Sequence, residues 1–375
     1  GTFVARSLEA LALQGDWEVI AINPIGVPPI PFGRYRALAA AAVDGVEHGV
    51  QVYRPRFPLI PRFGGRFNPA LIARAVLPLA RRLHAERPFD LVDAQFFYPD
   101  GPAAARIAAA LVLPLSIKAR GADISYWGAK PYALRAMRRA ADQAAGLLAV
   151  SEALADDMAA IGLPRGKIAI HYTGLDRTLF HPRAKAEARA ALAQRLGAAV
   201  PLAGPLLATV GALIPRKGQT YVIRALPALP GTHLLLIGQG EDEARLRALA
   251  AELGVAGRVH FLGSLDHATL PLALCAADAM VLPSASEGLA NAWVEALACG
   301  TPLVVTDAGG ARELVKDGSA GLIVPRDSEA IAEAVGRLLA SPPAPESVAA
   351  NAAAFSWDTN AAALAAYFDR LTGPR

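Results

Sequence analysis

Two glutamates separated by seven residues, Glu287 and Glu295 in SASEGLANAWVEALACGTPLVV, are the strongest chemical signal in the chain. They follow a Val- and Leu-rich run, DAMVLP, that reads as a strand ending at Pro283. Glu287 and Gly288 then fall in the loop at the strand's carboxyl end. Glu295 sits one turn inside the helix expected from about Ala290 and Asn291. In an open α/β sheet this edge is where ligands bind, and a helix N-terminus offers free N–H groups to phosphate or another anion. Two carboxylates aimed at such a crevice suit sugar hydroxyls, one a ribose and the other a hexose. The plain alternative is a helix-surface Glu295 and a solvated loop charge at Glu287.

A second candidate is VGALIPRKG, Val210 to Gly218, again strand, loop and helix. It is not the P-loop pattern, because Gly218 and Gln219 follow Lys217 where Ser or Thr would bind magnesium. Lys217, with Arg216, can instead neutralise a diphosphate leaving group directly. Solvated bases in a turn are the alternative, stronger for Arg216 than for Lys217. In LLLIGQGEDEARL, Gly238 and Gly240 give G-x-G, but Glu243 holds the third-glycine position, so the segment marks close backbone approach and not a dinucleotide site. The chain contains no D-x-D, no G-x-S-x-G and no paired histidine spacing, so no metal site is expected.

These loops must be carried by sheets. Short Val/Ile/Leu runs alternate with alanine-rich helical stretches, which is the pattern of parallel sheet covered on both faces. Strands are expected in WEVIAI, DLVDAQ, PLSIKA, GLLAV and KIAIHY, then in LLATVG, HLLLIG, RVHFLG, DAMVLP, TPLVVT and AGLIVP. With 375 residues, 54% apolar and 19% charged, the chain suits two α/β domains. The expected boundaries are 1–180 and 183–356, with a hinge near His181-Pro182 and a helix at 357–375 crossing back to the first domain. The amphipathic helix from Thr2 to Gln14 has no strand before it, so a leading strand and its loop are expected upstream of Gly1, leaving this chain weakly active or inactive. Cys275 and Cys299 lie in apolar helical segments and read as buried reduced thiols.

Quoted together, FVARSLEALALQG, YPDG, RGAD, AVSEAL, GLDRTLF, VGALIPRKG, EGLANAWVEALACGTPLV and SWD resemble a large family of retaining glycosyltransferases, family 4 or glycosyl transferases group 1. The resemblance covers nearly the whole chain, and its E-x7-E element is the specific part. It implies the GT-B fold of two facing Rossmann-like domains, the second binding a UDP- or GDP-sugar and the first a saccharide or lipid-linked acceptor. It implies that Glu295 binds the ribose, Glu287 orients the transferred sugar, and Lys217 grips the diphosphate beside Gly211. Amides of Gly288, Leu289, Ala290 and Asn291 would meet phosphate or sugar oxygens, and the turn at Gly263 would lie beside the base. Ala212 stands where many members carry arginine, a place Arg216 can fill. Gln95 and Arg120 stand where members often carry histidine. Arg120 would touch the diphosphate or acceptor with Gln95 and Asp123 on the acceptor side, or else form a structural ion pair with Asp123. The family needs no cofactor beyond the nucleotide-sugar and retains the anomeric configuration.

The formal charge is only +4, but Arg54, Arg56, Arg62 and Arg66, and later Arg135, Arg138 and Arg139, concentrate base in the first half. They form either a solvated face or a surface for anionic lipid or a phosphate-bearing acceptor. They are not interleaved with aromatics in a nucleic-acid motif. No run approaches the ~20 apolar residues of a membrane span, and the start lacks the regions of a signal peptide, so a cytoplasmic enzyme, peripheral on the inner face of the membrane, is expected. Two other readings share the architecture: a nucleotide-sugar epimerase, without an acceptor site, and a two-lobed sugar-binding protein, which needs export and several interlobe crossings.

Overall fold

The computed structural model describes residues 2–30, 32–60, 64–197 and 203–373; Arg62 lies outside them. The chain forms two compact units, residues 1–174 with 357–375 and residues 175–356. The first runs α1 (Thr2–Leu13), β1 (Ile20–Ile22), β2 (Ile25–Val27), α2 (Arg34–Ala40), β3 (Gly45–Glu47), β4 (Val50–Tyr53), β5 (Arg56–Pro58), α3 (Asn68–Glu86) and β6 (Val92–Ala94). It continues through α4 (Asp100–Leu111), β7 (Leu115–Lys118), α5 (Pro131–Gln143), β8 (Gly146–Ala149), α6 (Glu152–Ala160) and β9 (Ile168–Ile170). The strands pair as β6-β7-β8-β9, all parallel, with separate groups β1-β4-β3 and β2-β5. β7 and β8 are buried along their whole length, as strands covered on both faces must be.

The second unit runs α7 (Lys185–Leu196), β10 (Leu206–Val210), α8 (Gln219–Ala225), β11 (His233–Ile237), α9 (Glu243–Glu252), β12 (Val259–Gly263), α10 (Leu270–Ala276), β13 (Ala279–Leu282), α11 (Asn291–Ala298), β14 (Leu303–Val305), α12 (Ala311–Leu314), β15 (Gly321–Ile323), α13 (Ser328–Ala340) and α14 (Pro345–Ala350). Its six strands are parallel in the order β12-β11-β10-β13-β14-β15. From β10 the chain winds outward on one side, then from β13 on the other. The switch point lies between those two strands, where a doubly wound sheet leaves a crevice at its carboxyl edge. The core beneath is aliphatic: Leu207, Leu234, Leu236, Val281 and Val304 from the strands meet Val222, Ile223, Ile331 and Val335 from the helices.

All eleven strands read from sequence are present. The four short ones between Ile25 and Pro58 are not legible as such, because each is only three or four residues long. The units divide between Gly174 and Leu175, ahead of the expected boundary at His181-Pro182. Gly174 lies against Trp357 so closely that a Cβ there would stand 2.1 Å from the ring. Residues just past it belong to the second unit: Phe180 meets His267 edge-on, and Cys275 donates from Sγ to the His181 carbonyl at 3.4 Å. Both cysteines are buried and free. Among the described residues no helix is long and apolar enough to cross a membrane.

The last helix, α15 (Trp357–Thr372), returns to the first unit and packs on α1. Leu364, Tyr367 and Phe368 join Leu11, Trp17 and Leu148 in one apolar cluster. A buried polar chain fixes the register. Ser7 Oγ donates to Asn360 Oδ1 at 2.7 Å, and Asn360 Nδ2 donates to the Tyr172 carbonyl at 2.6 Å. His171 Nε2 donates to the Asn360 carbonyl at 2.9 Å, while its Nδ1 accepts from Lys118 Nζ at 2.6 Å. Burial, with Lys118 alongside, pushes His171 down to about 3; burial and then Arg120 push Lys118 down to about 7, against the pull of Asp93. Asn360→Ala leaves the buried Ser7 hydroxyl without its acceptor and removes the bond to the Tyr172 carbonyl, so it should cost roughly 2–3 kcal/mol. Amide hydrogen exchange should show α15 losing protection ahead of β7 and β8; unchanged protection would refute this role for Asn360.

Candidate active site

The second unit gathers its site at the carboxyl ends of β10 and β13. After β10 the chain turns through Gly211 and Ala212 into a single 3-10 turn, Pro215–Lys217, before α8. After β13 the loop carries Glu287 and Gly288 to Ala290, which caps α11 with extended backbone and leaves the first-turn amides of that helix without side-chain caps. One carboxylate oxygen joins the two loops: Glu287 Oε1 lies 2.6 Å from Lys217 Nζ and 3.4 Å from Arg216 Nη1. The side chains of Glu287 and Lys217 are 9% and 14% exposed, so this is a largely desolvated pair. Arg216 also donates to the Ser286 carbonyl and its own carbonyl accepts from Ala285 N at 2.8 Å. The plain reading of Lys217 and Glu287 as solvated loop charges is thereby set aside.

Glu295 is not on a helix surface. α11 is buried from Trp293 to Ala298, and Glu295 is 5% exposed within it. Burial alone raises its carboxyl to about 7. The remaining loops are stitched to these by main-chain contacts. A Cβ on Gly309, in the loop after β14, would stand 2.2 Å from the Glu287 carbonyl, and Gly310 N donates to the Gly288 carbonyl at 2.8 Å. A Cβ on Gly238 would stand 2.0 Å from the Gly211 carbonyl, which is the close approach that G-x-G signalled. Gly263 ends β12 and accepts from Gly238 N at 2.7 Å.

Sequence reasoning missed Arg326, just after β15. Its Nε donates to the Pro283 carbonyl at 2.9 Å and its Nη2 to the Pro215 carbonyl at 2.7 Å, with the guanidinium over the Tyr221 ring. It therefore braces both Lys217 and Glu287 loops from behind. No motif announces it, because its partners are carbonyls that any sequence supplies.

In the first unit the loops after β6 and β7 converge around Asp123, which is buried. Its carboxylate accepts from the amides of Phe97 at 2.8 Å, Arg120 at 3.0 Å and Gly121 at 2.8 Å. Desolvation still raises its pKa, against those bonds. Asp123 is thus the anchor of the two loops, which corrects its expected place as an acceptor contact, since its oxygens are turned to backbone and sealed from ligand. The alternative of an Arg120–Asp123 side-chain ion pair is also not what forms. The Arg120 guanidinium goes to Gln95, Nε to the main-chain oxygen at 2.8 Å and Nη2 to Oε1 at 2.5 Å. Gln95 Nε2 in turn donates to Asp93, whose carboxyl is raised by desolvation. Asp93 and Lys118 were legible in one respect: both are charges inside strands, DLVDAQ and PLSIKA, that should be apolar throughout.

Glu295 sets a pH dependence. Its folded pKa lies above the usual carboxylate value, so the folded state holds a proton that the unfolded chain gives up between about pH 4.5 and 7, and stability falls as pH rises through that window. Glu295→Gln removes the effect. Relative to wild type, the variant should gain up to roughly 3 kcal/mol between the two ends of the window. Urea denaturation at both ends, followed by hydrogen exchange in α11, checks this; parallel pH profiles would refute it.

With the geometry established, comparison with known proteins is informative. A family model described as Glycosyltransferase Family 4 matches residues 4–179, and one described as Glycosyl transferases group 1 matches residues 198–355. Among curated relatives, D-inositol 3-phosphate glycosyltransferase of Mycobacteroides abscessus is 36% identical over 61% of this chain and 52% of its own length. GDP-mannose-dependent alpha-(1-6)-phosphatidylinositol monomannoside mannosyltransferase of Mycolicibacterium smegmatis is 35% identical over 58% of each. The matches thus span about half the length of these relatives. Among solved structures, Anabaena HepE in complex with UDP and glucose superposes with a TM-score of 0.75 at 23% identity, covering 98% of this chain and 96% of that one. Sucrose-phosphate synthase from Thermosynechococcus elongatus gives 0.80 at 23%, covering 99% and 92%. The two matched segments, the parallel sheets of the two units and these neighbours agree: the chain belongs to the glycosyltransferases of family 4 and group 1 type and has the GT-B fold.

Proposed function

We propose that the protein is a retaining, metal-independent hexosyltransferase that takes a sugar from UDP or GDP and places it on a saccharide or lipid-linked acceptor, at the cytoplasmic face of a membrane in cell-surface polysaccharide or glycolipid synthesis. The observation that carries this reading is the Lys217–Glu287–Arg216 cluster at the switch point of the second unit, with buried Glu295 one turn inside the helix that follows the Glu287 loop. Lys217 and Arg216 supply positive charge fixed in place before the reaction, which is what a departing diphosphate requires. Glu295, once ionised, accepts the ribose hydroxyls. Glu287 orients the hexose and is no nucleophile in this scheme. The acceptor hydroxyl forms its bond to the anomeric carbon on the face from which the diphosphate leaves, and its proton passes to the departing phosphate oxygen. In the first unit, Arg120 held by Gln95 is the acceptor-side cation. The relatives named for inositol phosphate and phosphatidylinositol mannoside support an acceptor that carries phosphate.

Calorimetric titration of UDP and GDP, with and without magnesium, tests the donor half. One nucleotide should bind without metal. Glu295→Ala should weaken it by about 10- to 100-fold, the loss of hydrogen bonds to a charged group. Lys217→Met should lower turnover about a hundredfold, as removal of one stabilising donor does. Because ribose bonding favours ionised Glu295, wild-type affinity should rise with pH across pH 7, and Glu295→Gln should lack that rise. Absence of nucleotide binding, or a strict need for magnesium, would overturn the reading. Arg326→Met provides a separate check on positioning: nucleotide affinity should fall while the magnesium independence and the pH profile stay as in wild type.

A further inference from the structure

Exposure of large apolar side chains, among the described residues, is confined to one unit. Among the described residues, eleven large hydrophobic side chains are exposed, and none belongs to residues 175–356. Seven of the eleven fall between positions 30 and 67: Ile30, Phe32, Leu38, Val43, Val46, Ile60 and Phe67. Ile30 is 81% exposed and Phe32 55%. Clustering of this kind marks an interaction surface, whereas scattered exposure would need no explanation.

The stretch is also one lobe in space. β2 pairs with β5 from Ile25 to Val27, and Leu59 N donates to the Val27 carbonyl at 2.9 Å, which brings Ile60 beside the segment leading to Ile30. Arg56 Nη2 donates to the Ala39 carbonyl and Arg54 Nη1 to the Val43 carbonyl, each at 2.7 Å, so α2 and the turn after it are fastened to β5. Phe32 packs on Tyr35, and Phe67 N donates to Gly64, whose neighbour is Ile60. The charge on this lobe is predominantly positive. Positions 30 to 67 hold six arginines against Asp44 and Glu47, a surplus of four that equals the net charge of the whole chain. A protein partner's apolar surface would not call for that surplus, and a free phosphate would not call for the hydrophobic side chains.

We propose that this lobe, from Ile30 to Phe67, docks on an anionic lipid bilayer, with its apolar side chains entering the headgroup layer and exposed Arg36 and Arg66 pairing with lipid phosphates. The proposal rests on the acceptor reading above only for its biological purpose, since a bilayer is where a lipid-linked acceptor would be met; the test below does not depend on transfer.

The full chain should sediment with phosphatidylcholine vesicles containing about one-third phosphatidylglycerol and remain in the supernatant with phosphatidylcholine alone, and binding should fade as ionic strength rises from about 0.05 to 0.5 M. Phe32→Ser with Leu38→Ser should reduce partitioning at low salt. Each of Arg36→Gln and Arg66→Gln should reduce it about fivefold, the ratio set by roughly 1 kcal/mol per basic residue near an anionic surface. Nucleotide titration of the second unit's site serves as the control and should be unchanged in all four substitutions. Failure to bind anionic vesicles, or binding indifferent to both sets of variants, overturns the proposal while leaving the donor assignment to its own test. Sedimentation velocity without lipid supplies the remaining outcome: reversible dimerisation abolished by the Phe32 and Leu38 changes, with no vesicle binding, would assign the face to a second copy and overturn the bilayer.

Discussion

One carboxylate oxygen, Oε1 of Glu287, holds the second unit's functional edge together. Two bases from the loop after β10 converge on it from across the switch point, and that loop has only a single 3-10 turn of its own to keep it in place. A surface ion pair would be too weak to do this, but Glu287 and Lys217 are nearly out of water. In that setting the attraction is strong and the cost of separating the partners is the cost of leaving a buried charge alone. The rest of the edge follows from having to tolerate such a pair. Arg326 satisfies the carbonyls that the tight turns expose, and the glycine at 309 lets the loop after β14 lie against the Glu287 backbone without a side chain in the way.

The first unit meets a similar demand by a different arrangement. There the central group is Asp123, whose acceptors are spent on three backbone amides instead of on a cation. Fixing the backbone leaves the Arg120 guanidinium to be aimed by Gln95, which is itself aimed by Asp93. Lys118, His171 and Asn360 extend the polar chain into the returning helix α15. His171 stays neutral so that one nitrogen can accept from Lys118 while the other donates to a carbonyl; protonation would put a donor where Lys118 already donates. The chain of bonds thus explains why a helix 186 residues distant in sequence from β9 is part of this unit.

How much of this could be read from sequence depended on whether an interaction left a periodic or compositional trace. The eleven parallel strands did, because burial on both faces forces continuous apolar runs such as HLLLI and AMVL. Glu287, Glu295 and Lys217 did, because each sits at a fixed offset from a strand end. The lobe from Ile25 to Pro58 did not, since its strands are only three or four residues long, too short for a period to show. The role of Asp123 was legible only as an acid near a cleft; that its oxygens are used up by amides is a property of loop conformation, which RGAD does not encode by itself. Arg326 left no trace at all, for its hydrogen bonds are to main-chain atoms.

The buried Glu295 shows why such sites do not simply maximise stability. A carboxyl raised to about 7 by desolvation is a group the fold would do better without, and an amide of the same shape would fill the same space. Beyond Asn291 at its start, the rest of α11 is apolar, and burial is the one influence on the carboxyl. What an isolated carboxylate does gain is a strong preference for two adjacent hydroxyls, which restore the hydrogen bonds that burial removed. On the proposed reading the energetic deficit of this carboxyl becomes selectivity for a diol, and Glu287, already satisfied by Lys217, makes no competing demand on the ribose hydroxyls.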